Sequence, residues 1–225
     1  MRKLFTIVGL VAATFSFAQN VVFSKVVKTL ENTDKNLISV TAPLDNAEFL
    51  AEIEVLGFTN DDAALYKQVY AKAKEVGANV LEWQPFISID DKPQKLDPHH
   101  YKLNLYYKEG ITANAQSTNI MIFGAATKDV KIALNDKKIT LPARTYIVYP
   151  LKSNEVLDLR IGSFLGSRIK VSGSTAADQF YFQLSGNKVG AGEASLNLKG
   201  GDILGVDPSF GEFLKLIYKR ISFVK

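Results

Sequence analysis

Apolar and polar positions alternate most clearly between Phe49 and Trp83, FLAEIEVLGFTNDDAALYKQVYAKAKEVGANVLEW. Ile53 and Val55 interleave with Glu52 and Glu54, the pattern of a strand with one buried face. Gly57 breaks the run, and Thr59, Asn60 and Asp61 offer side-chain oxygens to start a helix. Leu65, Val69, Ala73 and Val76 then form an apolar stripe at helical spacing, flanked by Tyr66 and Tyr70. Lys67, Lys72, Lys74 and Glu75 fall toward water, and Asp61 and Asp62 suit the helix start. Gly77 is the expected left-handed stop, after which Val80, Leu81 and Trp83 begin a second strand. A crossover of this length permits parallel pairing of the two strands, with a right-handed connection.

Around this unit the chain reads as mostly β. VVFSKVVKTL and NLISVTA, separated by the polar ENTDKN, predict a hairpin between Val21 and Thr41. Phe86 to Ile89 continue extended, and DDKPQKLDPHH reads as an exposed loop. Tyr101, Leu103, Leu105 and Tyr107 alternate with Lys102, Asn104 and Tyr106, a further strand. Residues 19–108 are therefore expected to form an α+β domain, one helix on one sheet. The polar, turn-rich stretch 109–118 is read as a linker. From 119 to 225 come short strands at NIMIFGA, VKIALND, KITLPARTYIVYPL, EVLDLRI, RIKVSG, QFYFQLSG and ASLNLKG. They predict a mostly antiparallel β-sandwich or small open barrel, with a tight hairpin at Asn135 and Asp136. A closing helix is expected over 209–220, opened by Ser209 and Glu212 as a capping box. Phe210, Phe213, Leu214, Ile217 and Tyr218 give it an apolar stripe, and Lys215, Lys219 and Arg220 lie near its polar side. Docking on the body is favoured over a membrane-surface or partner-binding role.

The first 18 residues, MRKLFTIVGLVAATFSFA, match a secretory signal peptide. Arg2 and Lys3 open it, an apolar body follows, and Ser16 and Ala18 precede the expected cut. Its apolar body is short for a span, and no later stretch is long and apolar enough for one. The chain carries 27 basic and 23 acidic residues. Losing Arg2 and Lys3 leaves 25 basic residues against 23 acidic, so the overall charge gives little reason to expect an acidic partner. Lysines are scattered without interleaved aromatics, which argues against nucleic acid. There is no cysteine, so neither a disulfide nor a lipid-bearing cysteine is available.

The run KAKEVGANVL, a helix ending in Gly77-Ala78-Asn79 before a strand, resembles small envelope α/β domains of the YbjQ type, labelled heavy-metal-binding. It also resembles the Rcs outer-membrane sensor lipoprotein. The resemblance covers about 35 residues and implies Gly77 as helix stop, Ala78 as a close-packing site and Asn79 as a turn or edge residue. The absence of cysteine departs from a lipoprotein or a thiolate site. The C-terminal half is similar to small β-sandwich domains of bacterial envelope proteins.

Chemistry is sparse. His99 and His100 are the two histidines, and with Asp90, Asp91 and Asp97 they sketch a metal site. Adjacent residues in extended chain point to opposite sides, however, and zinc draws more nitrogen or sulfur than one histidine. A serine nucleophile would need one of those histidines as its base, and no GxSxG elbow is present. GNKVGAG, ending at Gly192, precedes a strand rather than a helix, so it reads as a hairpin tip and not a phosphate loop. Glu52, Glu54, Glu82 and Asp158 could be paired as acid and base, but nothing in the sequence sets their separation. Trp83, Phe86, Tyr106 and Tyr107 are a candidate contact surface for sugar or peptide, with core packing the bland alternative.

These observations favour an exported, non-enzymatic protein of the cell envelope, periplasmic or extracellular, without a cofactor. It would bind an envelope protein or polysaccharide. The alternatives are a polysaccharide or peptide hydrolase using carboxylates near Glu82 and Tyr106, and a periplasmic metal-responsive binder using His99 or His100.

Overall fold

The computed structural model describes residues 20–42, 44–57, 59–111, 117–162, 166–173, 178–185, 188–192, 195–199 and 201–223. The expected signal peptide and half of the expected linker, residues 112–116, lie outside the described residues. Contacts divide the chain into two units. The first runs to Lys35 and resumes over Val40–Glu109; the second holds Asn36–Ser39 and Gly110–Lys225.

In chain order the first half contains β1 (Asn20–Val26), β2 (Ile38–Val40), β3 (Glu48–Leu56), α1 (Asp62–Glu75), β4 (Val80–Gln84) and β5 (His100–Tyr107). The sheet order is β1-β3-β5-β4-β2. Asp61 caps α1, its carboxylate accepting from the Ala64 amide at 2.9 Å. Leu65, Val69 and Ala73 are buried along its stripe, and full burial of one such aliphatic side chain is worth about 1.5–3 kcal/mol. Gly77 stops the helix with φ +81°.

Two pairings differ from the sequence expectation. β3 and β4 do not pair directly: β5 lies between them, antiparallel to both. Their shared direction follows from the helical crossover, but a strand that arrives later fills the space between them. The hairpin expected over Val21–Thr41 is also absent. β1 pairs antiparallel with β3, from Asn20 opposite Leu56 to Val26 opposite Ala51. The polar insert that suggested a turn is instead a connector between opposite edges.

Asn79 is neither a turn nor an edge residue. It is buried, donates to the Lys108 carbonyl at 2.9 Å and accepts from the Lys108 amide at 2.9 Å. The side chain thereby ties the start of β4 to the end of β5.

The second half contains β6 (Asn119–Phe123), β7 (Val130–Leu134), β8 (Lys137–Leu141), β9 (Thr145–Pro150), β10 (Val156–Ile161), β11 (Arg168–Ser172), β12 (Gln179–Leu184), β13 (Lys188–Gly192), β14 (Ser195–Lys199), β15 (Ile203–Gly205), α2 (Pro208–Ile217) and β16 (Lys219–Arg220). One sheet has the order β11-β10-β7-β8 and another β15-β12-β6-β9-β16. Inward residues of both, among them Ile132, Leu157 and Leu159 from one and Ile120, Ile147 and Leu184 from the other, form one core. This is sandwich packing, within an α+β chain that is mostly antiparallel. β12 pairs parallel with β6, and β16 parallel with β9. Asn135 and Asp136 make the tight β7–β8 turn, with Asn135 at φ +52°. Residues 188–192, expected at a hairpin tip, are a strand paired with β14.

α2 starts one residue earlier and ends three earlier than its apolar stripe suggested, because Tyr218 is extended and Lys219 and Arg220 join β9. Ser209 and Glu212 do not form a capping box. Asp207 caps the helix by accepting from the Ser209 amide at 2.9 Å. Ser209 and Glu212 turn instead to residues 37–39: the Leu37 amide donates to Ser209 Oγ at 3.0 Å and the Ser39 hydroxyl to Glu212 Oε2 at 2.8 Å. Tyr181 and Lys215 donate to the other Glu212 oxygen at 2.6 and 2.8 Å. The buried carboxylate is thus surrounded by donors, as a buried charge requires.

Candidate functional site

α1 covers one face of the first sheet, and the opposite face is charged and aromatic. The ladder sets Glu52 opposite Asn104 and Asn104 opposite Glu82. One row away, Glu54 faces Lys102 and Lys102 faces Gln84. Partners across an antiparallel ladder share a face, so these six side chains stand together. Ile53, Leu103 and Trp83 pair in the intervening row and so point the other way.

Hydrogen bonds knit the polar face together. Ser24 Oγ and Lys102 Nζ both donate to Glu52 Oε1, at 2.5 and 2.9 Å. Tyr106 OH donates to Glu82 Oε2 at 2.8 Å, and Asn104 Nδ2 reaches the same oxygen at 3.2 Å and Gln84 Oε1 at 3.0 Å. His100 Nε2 pairs with Glu54 Oε1. Aromatic rings bracket this network: Phe49 meets Tyr106 edge-on with centroids 5.4 Å apart, and Phe86 lies 4.6 Å from the His100 ring. Lys25 and Lys102 sit over Phe49 and Phe86.

Burial opposes the charge on Glu52, but hydrogen bonds from Ser24 and Lys102, with the positive field of Lys102 and Lys25, outweigh it. Its carboxyl is held below the ordinary value. Burial, with Glu82 as hydrogen-bond acceptor and negative neighbour, pushes the Tyr106 phenol up to about 12. The face therefore offers fixed donors, acceptors and ring surfaces. A carboxyl acid–base pair needs one member raised and the other lowered; Glu52 fills only the second role.

The four aromatic candidates do not make one surface. Tyr106 lies on the polar face and Phe86 borders it, whereas strand alternation puts Trp83 and Tyr107 on the helix side. Nearness in the chain suggests one group, and the period of two along a strand separates them. Asp97 Oδ1 accepts from the His99 amide at 2.9 Å, and the Asp97 carbonyl accepts from the His100 amide at 3.1 Å. His100 is engaged with Glu54 instead. Among the described residues no three His, Asp or Glu side chains are arranged to hold a metal ion. Asp158 belongs to the second unit, paired with Arg168.

The second unit holds a groove that the sequence reading missed. Lys128, Asp129, Lys131, Ala133, Asp136, Lys138, Thr140 and Arg160 line about 890 Å³ on β7, β8 and β10. The signal was present as alternation: Lys131 with Ala133, Lys138 with Thr140, and Asp158 with Arg160. These cations are scattered along the chain and become neighbours only across the ladder.

No family model, curated protein or solved structure matches the chain. The fold is α+β and β-rich, without cysteine. Among the described residues no helix is long and apolar enough to cross a membrane.

Proposed function

We propose that the protein is exported to the cell envelope and acts by binding, and that the polar face of the first sheet receives an envelope polysaccharide or an extended partner segment. The observation that carries this reading is the network around Glu82 and Glu52, bracketed by Phe49 and Phe86. Locked polar groups beside ring surfaces suit recognition of hydroxyls and amides on an extended ligand. Export is supported by the leader pattern of residues 1–18. The hydrolase alternative has less support, because the Glu52 and Glu82 carboxylates are engaged by internal donors, Ser24 and Lys102 on one and Tyr106 and Asn104 on the other.

Titration of the isotope-labelled chain with solubilised envelope glycans and with envelope peptides, read by NMR, tests this. Shifts should concentrate at Gln84, Phe86, His100 and Lys102 and disappear in a Phe86→Ala/Glu82→Gln variant. Release of shorter sugars or peptides that depends on Glu82 would replace binding with hydrolysis. An unchanged spectrum with both ligand classes would remove the assignment of this face. Fractionation of cells making the full-length chain tests export separately: it should be recovered outside the cytoplasm, shortened by the leader.

A further inference from the structure

We propose that the groove on the four-stranded sheet of the second unit binds an anionic saccharide chain. The register fixes its design. Ala133 sits opposite Lys138 on one side and Arg160 on the other. Lys131, two residues along the same strand, faces Thr140. A small floor residue is thus flanked by cations one strand away, at roughly 4.8 Å, and two residues along, at roughly 6.8 Å. Such a spread suits several anionic groups in succession rather than a single small ion.

Only part of the positive charge is matched from within. Asp158 accepts from Arg168 Nε at 2.8 Å and also pairs with its Nη2, so its charge is already matched. Arg160 directs Nη2 to the Asn135 carbonyl at 2.7 Å, which anchors its guanidinium beside the groove. It also has ion pairs to the fully exposed Asp136 at 3.4 Å and, through Nε, to Asp158 at 3.7 Å. Neither Lys131 nor Lys138 has an ion-pair partner among the described residues. Four cations and two carboxylates line the space, leaving it net positive.

Shape selects among polyanions. Among the described residues no aromatic ring lines the groove, and stacking on rings is what single-stranded nucleic acid depends on. A bilayer surface is flat and is held by large apolar side chains inserted beside the cations. Here the larger apolar lining residues, Val130, Ile132, Ile139 and Ile161, are committed to the sandwich core, leaving Ala133 and Thr140 as the floor. A groove of about 890 Å³ holds several sugar rings, and Thr140 offers a hydroxyl next to the cations. The site is separate from the first-unit face and does not depend on that face binding anything.

The test is calorimetric titration of the full chain with oligogalacturonate and with a heparin oligosaccharide, at low and high ionic strength. A neutral dextran oligomer and phosphatidylglycerol vesicles complete the set. The inference expects binding of at least one acidic oligosaccharide, weakened by salt. Affinity should fall at least about tenfold in Lys131→Ala/Lys138→Ala, the loss of one or more charge-assisted hydrogen bonds. Among the described residues neither lysine has an ion-pair partner, so an unchanged thermal transition should show that the variant is folded. Lys67→Ala, which removes an exposed charge from α1 in the other unit, should bind as the parent does. Failure of both acidic oligosaccharides to bind, equal affinity in the double variant, or binding to vesicles alone would overturn the assignment.

Discussion

Replacing Gly77 with alanine should be among the most damaging single-methyl changes in the first unit. At φ +81° a side chain is strained whatever the space, and a Cβ there would lie 2.1 Å from the Leu30 carbonyl oxygen. Left-handed backbone costs a non-glycine residue about 1–2 kcal/mol. Real Cβ contacts essentially never fall under 3.0 Å, so the Leu30 backbone must retreat by about 1 Å. That retreat loosens the Leu30 amide bond to the Val76 carbonyl at 3.1 Å and the Asn32 side-chain bond to the Gly77 carbonyl at 2.9 Å. Each contributes about 1 kcal/mol. The total is about 3–4 kcal/mol, a large share of a typical domain's stability. Trp83 is the single tryptophan and lies in β4, so its fluorescence during denaturant unfolding reports on the first unit. Asn32→Ala, which removes one of those hydrogen bonds alone, should cost about 1 kcal/mol. If Gly77→Ala costs no more than the left-handed penalty, the Leu30 carbonyl does not press on Gly77 and the reasoning fails.

Gly211→Ala should destabilise the second unit by about 2–3 kcal/mol, because its Cβ would come within 2.1 Å of the Tyr181 ring; thermal unfolding by circular dichroism checks this. Because Tyr106 titrates at about 12 in the fold, against an ordinary 10, its contribution is fully present below pH 10. It should be lost as the pH rises from about 10 toward 12, where only the unfolded chain ionises. A stability–pH series should show that decline, and Tyr106→Phe should make it shallower without abolishing it, because burial also raises Tyr181 and Tyr146. Lys102→Met should raise the Glu52 carboxyl, measured by carbon-detected NMR titration, since Lys102 supplies both a hydrogen bond and a favourable field. An unmoved Glu52 would mean that Ser24 and Lys25 suffice.

What the sequence made legible was local. α1 could be read almost to the residue because Asp61, the apolar stripe and Gly77 act within a few turns of one another. The second-unit strands were visible for the same reason, as short alternating runs separated by turns. Pairing partners were not legible: nothing near Phe49 or Val80 announces that residues 100–107 lie between them. Ser209 and Glu212 had capping-box spacing, yet their actual partners, Leu37, Ser39 and Tyr181, are distant in sequence. The polar face was half visible. Alternation at Glu52 and Glu54 could be seen, but bringing Glu82, Asn104 and Tyr106 beside them required the ladder. The groove over Ala133 needed three strands in register before Lys131, Lys138 and Arg160 became neighbours.

The placement of β5 also bears on how the first unit assembles. The strand–helix–strand segment, complete by Gln84, has no way to close its own sheet, because its two strands are spaced for a third between them. Until residues 100–107 arrive, β3 and β4 each present an unpaired inner edge, and the apolar side of α1 has only a divided surface to cover. The segment that looks most self-sufficient in the sequence is therefore a poor autonomous nucleus. A chain emerging N-terminus first would hold two sticky edges apart until β5 appeared, then gain both ladders in one event. Truncation before His100 should leave an aggregating fragment rather than a smaller domain.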